Sequence, residues 1–291
     1  MAIEYRCIGG CMSWDDIIGF GVAGNMAGHL EQAGEDRDFV SVSVLDRKAP
    51  KGMFPFYLPY STIEHQLHVM PLSDSIIEIK PDGENYQIEP EVSLLCSLEY
   101  KNGCVVSITP HYAMAHNDCS IRKEGAKKIS EKKNWGANTK GVSAQRIEID
   151  SFASGGILDH YQLTSYLLRA GTLHHYGISS PLTTYSYFYE ELIDWMVDRF
   201  AYQEDVGPLE NLQEHLATSG YPKQALISIG ATRYTDFGAS NYLQPGDVSI
   251  VVVYDRRKYS EADIQELIQE ETHECSDVSI LKQRVILQAN S

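Results

Sequence analysis

Two long apolar runs joined by an Asn-Gly pair constrain the fold of this chain more than any other feature of its sequence. The runs cover residues 88–100 and 103–109, and Lys101-Asn102-Gly103 lies between them. Asn-Gly favours the positive φ angles of a tight hairpin turn. The sequence therefore predicts a long antiparallel hairpin, around which a larger sheet can form.

Short strands and a few helices are predicted along the rest of the chain. Buried or alternating apolar runs predict strands over residues 39–45, 75–80, 225–229 and 248–254. An apolar stripe predicts a helix over residues 187–200, and Ser260 followed by Asp263 resembles a capping box that opens a C-terminal helix. Because strands and helices do not alternate regularly, the predicted fold class is α+β, with peripheral helices around mixed β-sheets.

The charge balance excludes two classes of partner. The chain has 24 Lys and Arg residues against 40 Asp and Glu residues, a formal net charge of −16. We therefore expect no nucleic-acid partner and no docking on an anionic membrane. The chain lacks an apolar segment of about 18 residues, so no membrane span is expected either. Six cysteines without a CxxC pair favour free thiols and a cytoplasmic location.

Two carboxylates stand two residues apart where the chain enters the predicted hairpin. Residues i and i+2 of a strand point to the same face, so Glu89 and Glu91 are expected side by side. Adjacent carboxylates repel each other unless a cation neutralises them, and hard oxygen ligands select Mg²⁺, Mn²⁺ or Ca²⁺. On its own the pair is more typical of a solvated strand face than of a metal site.

Other polar motifs flank this pair in a defined order. They are Asn25 to His29 in a glycine-rich stretch, Asn117-Asp118-x-Ser120-x-Arg122, Lys133-x-Trp135-Gly136, Ile229-Gly230-Ala231-Thr232 and Leu243-x-x-Gly246-Asp247. Together with Glu89-x-Glu91, they resemble the motifs of the fumarylacetoacetate hydrolase superfamily over roughly residues 19–255. The resemblance implies a homodimer with a mixed-sheet β-roll. It divides the chain into a lead-in segment (residues 1–18), a catalytic domain (19–256) and a C-terminal extension of helix and strand (257–291).

The resemblance also implies a metal site. Glu89, Glu91 and Asp118 would ligate one Mg²⁺ or Mn²⁺ ion, with Ca²⁺ as a further option. Lys133 would bring a positive charge to an enolate oxygen or to the substrate carboxylate, although its place in a basic run also fits a solvated residue. His29 would be the general base, or alternatively a packed histidine.

Near His29 the chain departs from the family pattern. Several relatives have Glu three residues after this histidine, whereas this chain has Gln32 there and Glu31 one residue earlier. A shift of one residue rotates a helical side chain by about 100°, so whether Glu31 serves the site as a catalytic carboxylate stays open. Gln32 could orient a water molecule but could not deprotonate it.

The substrate side departs from the pattern too. Leu58 stands where relatives have Lys, and His175 lies in a region where many have Arg-Gln. Fewer basic residues in the pocket imply less attraction for a second carboxylate. The resemblance places six residues in contact with substrate: Asn25, Gln32, Ser120, Arg122, His175 and Thr232.

These implications define a metal-dependent hydrolase or lyase that acts on a small 2-oxo acid through a metal-bound enolate. The reaction would be hydrolysis of a C–C bond or decarboxylation, and the missing Glu favours decarboxylation slightly. An isomerase or hydratase of an unsaturated 2-oxo acid is an alternative. A non-catalytic protein of the same fold that binds a metabolite or a partner is another. The sequence identifies neither the substrate nor the pathway.

Overall fold

The structure of the chain is a computed structural model, which describes residues 17–40, 42, 46–62, 65–123, 125–269 and 277–288. The strands in these ranges are β1 (Ile17–Ala23), β2 (Gly52–Tyr57), β3 (Leu72–Ser73), β4 (Ile76–Ile79), β5 (Tyr86–Gln87), β6 (Pro90–Lys101), β7 (Cys104–Asn117), β8 (Ser120–Ile121), β9 (Lys140–Val142), β10 (Ile147–Glu148), β11 (Tyr161–Arg169), β12 (Thr172–Pro181), β13 (Gln224–Ser228), β14 (Val248–Asp255) and β15 (Val278–Leu287). The α-helices are α1 (His29–Ala33), α2 (Tyr189–Tyr202), α3 (Leu212–Thr218), α4 (Asp236–Ser240) and α5 (Glu261–Gln269).

The predicted hairpin is confirmed as β6 and β7. Asn102 and Gly103 at its turn have φ angles of +54° and +80°. Strand β7 continues beyond the predicted end of the hairpin, through Pro110 to Asn117. A shift in register between Leu95 and Cys96 accommodates the proline, which cannot donate to the ladder.

The strands form two main sheets. The larger has the order β2-β1-β13-β6-β7-β9-β3, with β10 paired to β7, and the second has the order β12-β11-β14-β15-β4. Strands β5 and β8 form a separate pair. The pairs β1–β13, β3–β9 and β15–β4 are parallel, while the others are antiparallel. Mixed sheets with peripheral helices confirm the α+β fold class, and β15 makes the C-terminal region part of the second sheet.

The main core lies between the two sheets. Alternate residues of β14, such as Val251 and Val253, pack toward the larger sheet. Their neighbours Ile250 and Val252 pack on the opposite face, against α5. Burial of each branched side chain contributes about 1.5–3 kcal/mol, so a strand that is apolar on both faces is held firmly between two layers.

The two predicted helices are present with small shifts. Helix α2 buries Leu192, Met196 and Phe200. Helix α5 follows Ser260, whose backbone N–H and hydroxyl both donate to Asp263 Oδ2 at 2.7 Å, as the capping-box pattern predicts. No helix in the described ranges has both the length and the apolar character that crossing a bilayer requires.

The strand predicted over residues 39–45 is wrong where the structure describes it. Phe39 ends a short 3₁₀ helix, Asp36–Phe39, while residues 41 and 43–45 lie outside the described ranges. Cys96, Cys104 and Cys119 are free thiols, as predicted. The other cysteines, Cys7, Cys11 and Cys275, lie outside the described residues, as does almost all of the predicted lead-in segment.

Four strands of the larger sheet meet at one edge. Strands β1 and β13 are parallel and both end there. Strand β6 is antiparallel to β13 and begins there, and β7, antiparallel to β6, ends there. The topology thus brings together the glycine-rich segment after β1, the two glutamates at the start of β6, Asp118 after β7 and residues 229–232 after β13.

Candidate metal centre

The three carboxylates predicted as metal ligands form one buried group. Glu89, Glu91 and Asp118 each place a carboxylate oxygen within 4.8 Å of the others. Their exposed fractions are only 3%, 2% and 0%. A buried group of three acids needs compensating positive charge, because moving a carboxylate out of water is costly.

Backbone hydrogen bonds fix two of these carboxylates relative to each other. The Asp118 N–H donates to the Glu89 carbonyl oxygen at 2.9 Å. The Glu89 N–H donates to Asn117 Oδ1 at 3.2 Å, and the Asn117 amide donates in turn to Ser249 Oγ at 3.1 Å. The Asn-Asp pair of the motif therefore joins the β6 and β7 ends to the second sheet.

Glu91 is held by the loop that follows β13. The Gly230 N–H donates to Glu91 Oε2 at 2.9 Å. Gly230 has a φ of +116°, and a Cβ on it would lie 2.9 Å from the Asn25 Cβ. The Asn25 amide donates to the carbonyl oxygens of Ile229 and Tyr187 at 2.9 and 3.0 Å. Glycine is required here both for its backbone conformation and for the close approach of Asn25.

Three basic side chains contact the carboxylates. Lys133 Nζ lies 2.8 Å from Glu89 Oε2 and 2.6 Å from Asp118 Oδ2. Lys140 pairs with Asp118 Oδ1, and Arg122 Nη2 lies 2.7 Å from Glu89 Oε1. Among the described residues, none forms an ion pair with Glu91.

This asymmetry separates the proton affinities of the glutamates. Burial opposes ionisation of Glu89, but Lys133 and Arg122 outweigh it and hold its pKa well below the usual range. Burial raises the pKa of Glu91 well above its usual range, and the charges of Asp118 and Glu89 raise it further. Burial acts against the Lys133 ammonium too, yet Asp118 and Glu89 raise the pKa of Lys133. Glu91 is thus the carboxylate with the least positive charge around it.

The donor set fits a hard divalent cation. Three carboxylates are typical ligands of Mg²⁺ or Mn²⁺, which keep further positions for water or substrate. Glu89 Oε1 and Asp118 Oδ2 are enclosed and contact basic groups, but neither accepts a hydrogen bond with suitable angles. These oxygens therefore keep lone pairs that a cation could take up.

A small cavity of about 20 Å³ adjoins the three carboxylates. His29 lies in its wall with 4% of its surface exposed, and neither ring nitrogen has a hydrogen-bond partner. Burial lowers the pKa of His29, with Glu89 opposing this effect. A neutral imidazole with both nitrogens unpartnered can accept a proton.

Glu35 is the carboxylate near His29 that the sequence did not indicate. Helix α1 ends at Ala33 and is capped by Gly34, whose φ of +71° turns the chain so that Glu35 lies in the cavity wall. Glu35 Oε1 accepts from Arg122 Nη1 at 2.6 Å and from Lys132 Nζ at 3.1 Å. Arg122 lowers the pKa of Glu35 in spite of its burial. Glu31 is exposed on α1 and does not line the cavity.

Lys140 and His116 are further buried groups that the sequence did not indicate. Lys140 pairs with Asp118, and burial lowers the pKa of Lys140. His116 lies opposite Glu91 in the β6–β7 register, with no partner for either ring nitrogen. Alternation along β7, counted back from Asp118, is the only signal in the sequence that could have indicated His116.

The six residues predicted to contact substrate do not line the cavity. Asn25 donates to the carbonyl oxygens of Ile229 and Tyr187. Gln32 exchanges two hydrogen bonds with the Tyr234 backbone, at 2.6 and 2.9 Å. Ser120 Oγ donates to the Asp118 carbonyl oxygen at 3.0 Å. The polar groups of Asn25, Gln32 and Ser120 thus already have partners within the protein.

The remaining three lie behind the cavity or apart from it. Arg122 contacts four side chains: Gln87 at 2.6 Å, Glu35 at 2.6 Å, Glu89 at 2.7 Å and Tyr234 at 2.8 Å. His175 lies 3.2 Å from the hydroxyls of Thr164 and Ser179, and its ring stacks on Tyr166. Thr232 is buried, and its hydroxyl has no partner.

Comparison with known proteins gives one family match. The model of a family of unknown function, DUF5718, matches residues 35–285. No curated protein matches the sequence.

Solved structures show the fold. A hexagonal crystal form of 2-keto-3-deoxyarabinonate dehydratase is 14% identical, with a TM-score of 0.55 over 94% of this chain and 75% of that one. 2-Keto-3-deoxy-D-arabinonate dehydratase complexed with magnesium and 2,5-dioxopentanoate is 13% identical, with a TM-score of 0.54 over 95% and 75%. The yeast protein ynq8, a fumarylacetoacetate hydrolase family protein, is 12% identical, with a TM-score of 0.53 over 94% of both chains. The chain therefore has a fumarylacetoacetate hydrolase-like fold.

Proposed function

The chain belongs to the DUF5718 family, and we propose that it is a divalent-metal-dependent enzyme acting on a small 2-oxo acid. One observation carries this proposal. Three buried carboxylates lie within 4.8 Å of one another and adjoin a cavity. The wall of this cavity contains the buried side chain of His29, and neither of its ring nitrogens has a hydrogen-bond partner. Buried polar atoms without partners are rare and are typical of sites that bind a ligand or move a proton.

Glu89, Glu91 and Asp118 would hold Mg²⁺ or Mn²⁺, with Ca²⁺ as a further option. The bound cation would act as a Lewis acid that stabilises negative charge on the 2-oxo group of the substrate. The neighbour that contains magnesium and 2,5-dioxopentanoate supports this choice of metal and of substrate class.

Lys133 would add a second positive charge at the developing negative charge. Its ammonium is buried, stays charged because of Asp118 and Glu89, and lines the cavity. A fixed charge in a site from which water is excluded stabilises a transition state more than the same charge in water does.

His29 would transfer the proton, through Nδ1 or Nε2. Its lowered pKa keeps the imidazole neutral and ready to accept a proton. Glu35 lies in the same cavity wall, and its negative charge raises the proton affinity of His29. We therefore propose Glu35, rather than the exposed Glu31, as the carboxylate that supports the imidazolium.

The reaction would be C–C bond cleavage, either hydrolysis or decarboxylation, which makes the protein a hydrolase or a lyase. Isomerisation or hydration of an unsaturated 2-oxo acid uses the same proton transfer and stays an alternative, and one neighbour is a dehydratase by name. A homodimer, a cytoplasmic location and the absence of nucleic-acid or membrane partners stay predictions from the sequence.

Proton exchange at C3 tests the proposal without choosing among these reactions. Pyruvate incubated in D₂O with the Mg²⁺-loaded protein should lose its methyl proton signal in NMR spectra. Chelation of the metal and the substitution His29→Asn should each slow this exchange at least about a hundredfold, as expected for loss of a general base. Loss of exchange only on chelation, with full exchange in His29→Asn, would contradict the assigned base. No exchange in the wild type would favour a non-catalytic binding protein.

A further inference from the structure

The positive charges in the cavity wall are already paired. Lys132 and Lys133 are the only lysine or arginine residues among the described residues that line the cavity. Lys133 contacts Glu89 and Asp118. Lys132 Nζ contacts Glu35 Oε1 at 3.1 Å and Asp38 Oδ2 at 2.7 Å. Each ammonium is therefore shared between two carboxylates before any substrate enters.

Arg122 cannot supply the missing charge. It does not line the cavity, and its guanidinium faces two carboxylates, Glu35 and Glu89. It also donates to Gln87 and to the Tyr234 hydroxyl. A second carboxylate on the substrate would have to displace these contacts, which are buried and charge-assisted.

The acidic groups that line the cavity beside the three ligands have already taken up the nearby positive charges. Glu35 pairs with Arg122 and Lys132, and Asp38 pairs with Lys132. A carboxylate taken out of water is costly unless it finds a positive partner. A carboxylate at the far end of a bound substrate would therefore find no unpaired positive charge there.

Several other side chains in the cavity wall are apolar. Leu30, Phe39, Phe54 and Ile129 line the cavity together with small side chains from β1 and from the loop after β13. Apolar walls favour an apolar group and penalise a charged one that finds no partner. The cavity itself is small, about 20 Å³.

We propose that the site selects 2-oxo acids with a single carboxylate and a short apolar tail, and discriminates against those with a second carboxylate at the end of the tail. This inference rests on the proposed function, because the head of the substrate is assigned to the metal centre. The part of the cavity wall formed by Glu35, Asp38 and Lys132 is responsible for this selectivity against a second carboxylate.

Two ligands that differ only at the tail test this selectivity. 2-Oxopentanoate and 2-oxoglutarate have the same five-carbon chain, and they end in a methyl group and a carboxylate. Binding to the Mn²⁺-loaded protein is measured by calorimetry and by thermal shift, with oxalate and pyruvate as ligands that have no tail. We expect 2-oxopentanoate to bind at least about tenfold more tightly than 2-oxoglutarate, a difference of about 1.4 kcal/mol.

One substitution should change the selectivity in a defined direction. Asp38→Asn removes one of the two acidic partners of Lys132, so the ratio of the two affinities should shift at least about threefold toward 2-oxoglutarate. Asp36→Asn is the matched control. Asp36 is an exposed residue of the same 3₁₀ helix that does not line the cavity, so its substitution should leave the ratio unchanged.

The outcomes separate the inference from the function on which it rests. Equal binding of the two five-carbon acids, or tighter binding of 2-oxoglutarate, would overturn the inference while the metal centre stands. Binding of pyruvate and oxalate without binding of 2-oxopentanoate would overturn the inference that the site accepts an apolar tail. Failure of every ligand, oxalate included, would overturn the proposed function itself. An unchanged ratio in Asp38→Asn would show that this wall does not set the selectivity.

Discussion

Lys140 forms an ion pair with Asp118 in a place where neither side chain is exposed. A lysine at this depth is costly unless its partner is well placed, and here the partner is one of the proposed metal ligands. The ammonium and a divalent cation would therefore compete for the same carboxylate.

Replacing Lys140 with Met should strengthen metal binding. Asp118 would lose one positive neighbour, so affinity for Mn²⁺ should rise several-fold. The metal-free protein should lose about 1–3 kcal/mol, because the buried Asp118 carboxylate loses one of its two cationic partners and keeps only Lys133. Calorimetric titration with Mn²⁺ and melting temperatures with and without the metal measure both effects. Lys258→Met, at a half-exposed ion pair with Asp277, is the control and should change neither. Weaker Mn²⁺ binding in Lys140→Met would mean that Lys140 positions Asp118 rather than competing for it.

Gly230→Ala should disturb both the fold and the metal centre. At a φ of +116° a side chain is strained, and its Cβ would lie 2.9 Å from the Asn25 Cβ. We expect a loss of about 2–4 kcal/mol together with weaker Mn²⁺ binding, because the Gly230 N–H holds Glu91. Denaturant unfolding measures the loss. Gly83→Ala isolates the backbone effect, since Gly83 has a φ of +76° and open space around it, and should cost about 1 kcal/mol. Equal losses in the two variants would refute the packing argument at Gly230.

Glu35 and Glu31 offer a direct comparison. Glu35 lines the cavity beside His29, while Glu31 is exposed. Glu35→Gln should therefore slow the metal-dependent C3 exchange of pyruvate at least about tenfold, because the imidazolium loses a neighbouring negative charge. Glu31→Gln should leave the rate within about twofold, as expected for an exposed side chain outside the site. A slow exchange in Glu31→Gln with a normal rate in Glu35→Gln would show that Glu31 is the catalytic carboxylate.

His215 on α3 should make stability depend on pH. Burial lowers its pKa to about 4, from 6.5 in the unfolded chain. Between these values the unfolded state binds the proton and the folded state does not, so stability rises with pH from about 4 to 6.5 and is lost as pH falls through that window. The contribution is about 3 kcal/mol at neutral pH. Urea midpoints across this range should rise less steeply with pH in His215→Gln. Parallel curves for the two proteins would show that His215 does not titrate in this way.

Local patterns predicted much of the fold. Asn-Gly between apolar runs predicted the β6–β7 hairpin because turn chemistry acts over adjacent residues. Ser260 and Asp263 predicted the start of α5 for the same reason. The strand expected over residues 39–45 failed at Phe39, where alternation over a few residues did not outweigh the turn that brings Glu35 and Asp38 to the cavity.

The site was predictable where motif order supplied long-range information. Glu89, Glu91 and Asp118 were expected together from their order and were found together. Glu35 and Lys140 were not expected, because their burial depends on partners far along the chain. A lysine in a sequence indicates a solvated surface until a buried carboxylate such as Asp118 is known to face it.

Coupled binding of metal and oxalate is the sharpest test of the proposed metal centre. Melting temperatures of the metal-stripped wild type and of Glu91→Gln are measured with Mn²⁺, with oxalate and with both. Glu91 is the carboxylate with the raised pKa, so the metal-free variant should melt close to the wild type. We expect oxalate to stabilise the wild type only when Mn²⁺ is present, and Glu91→Gln to lose both shifts. Oxalate stabilisation without Mn²⁺, or an undiminished Mn²⁺ shift in Glu91→Gln, would contradict the assignment of the metal centre.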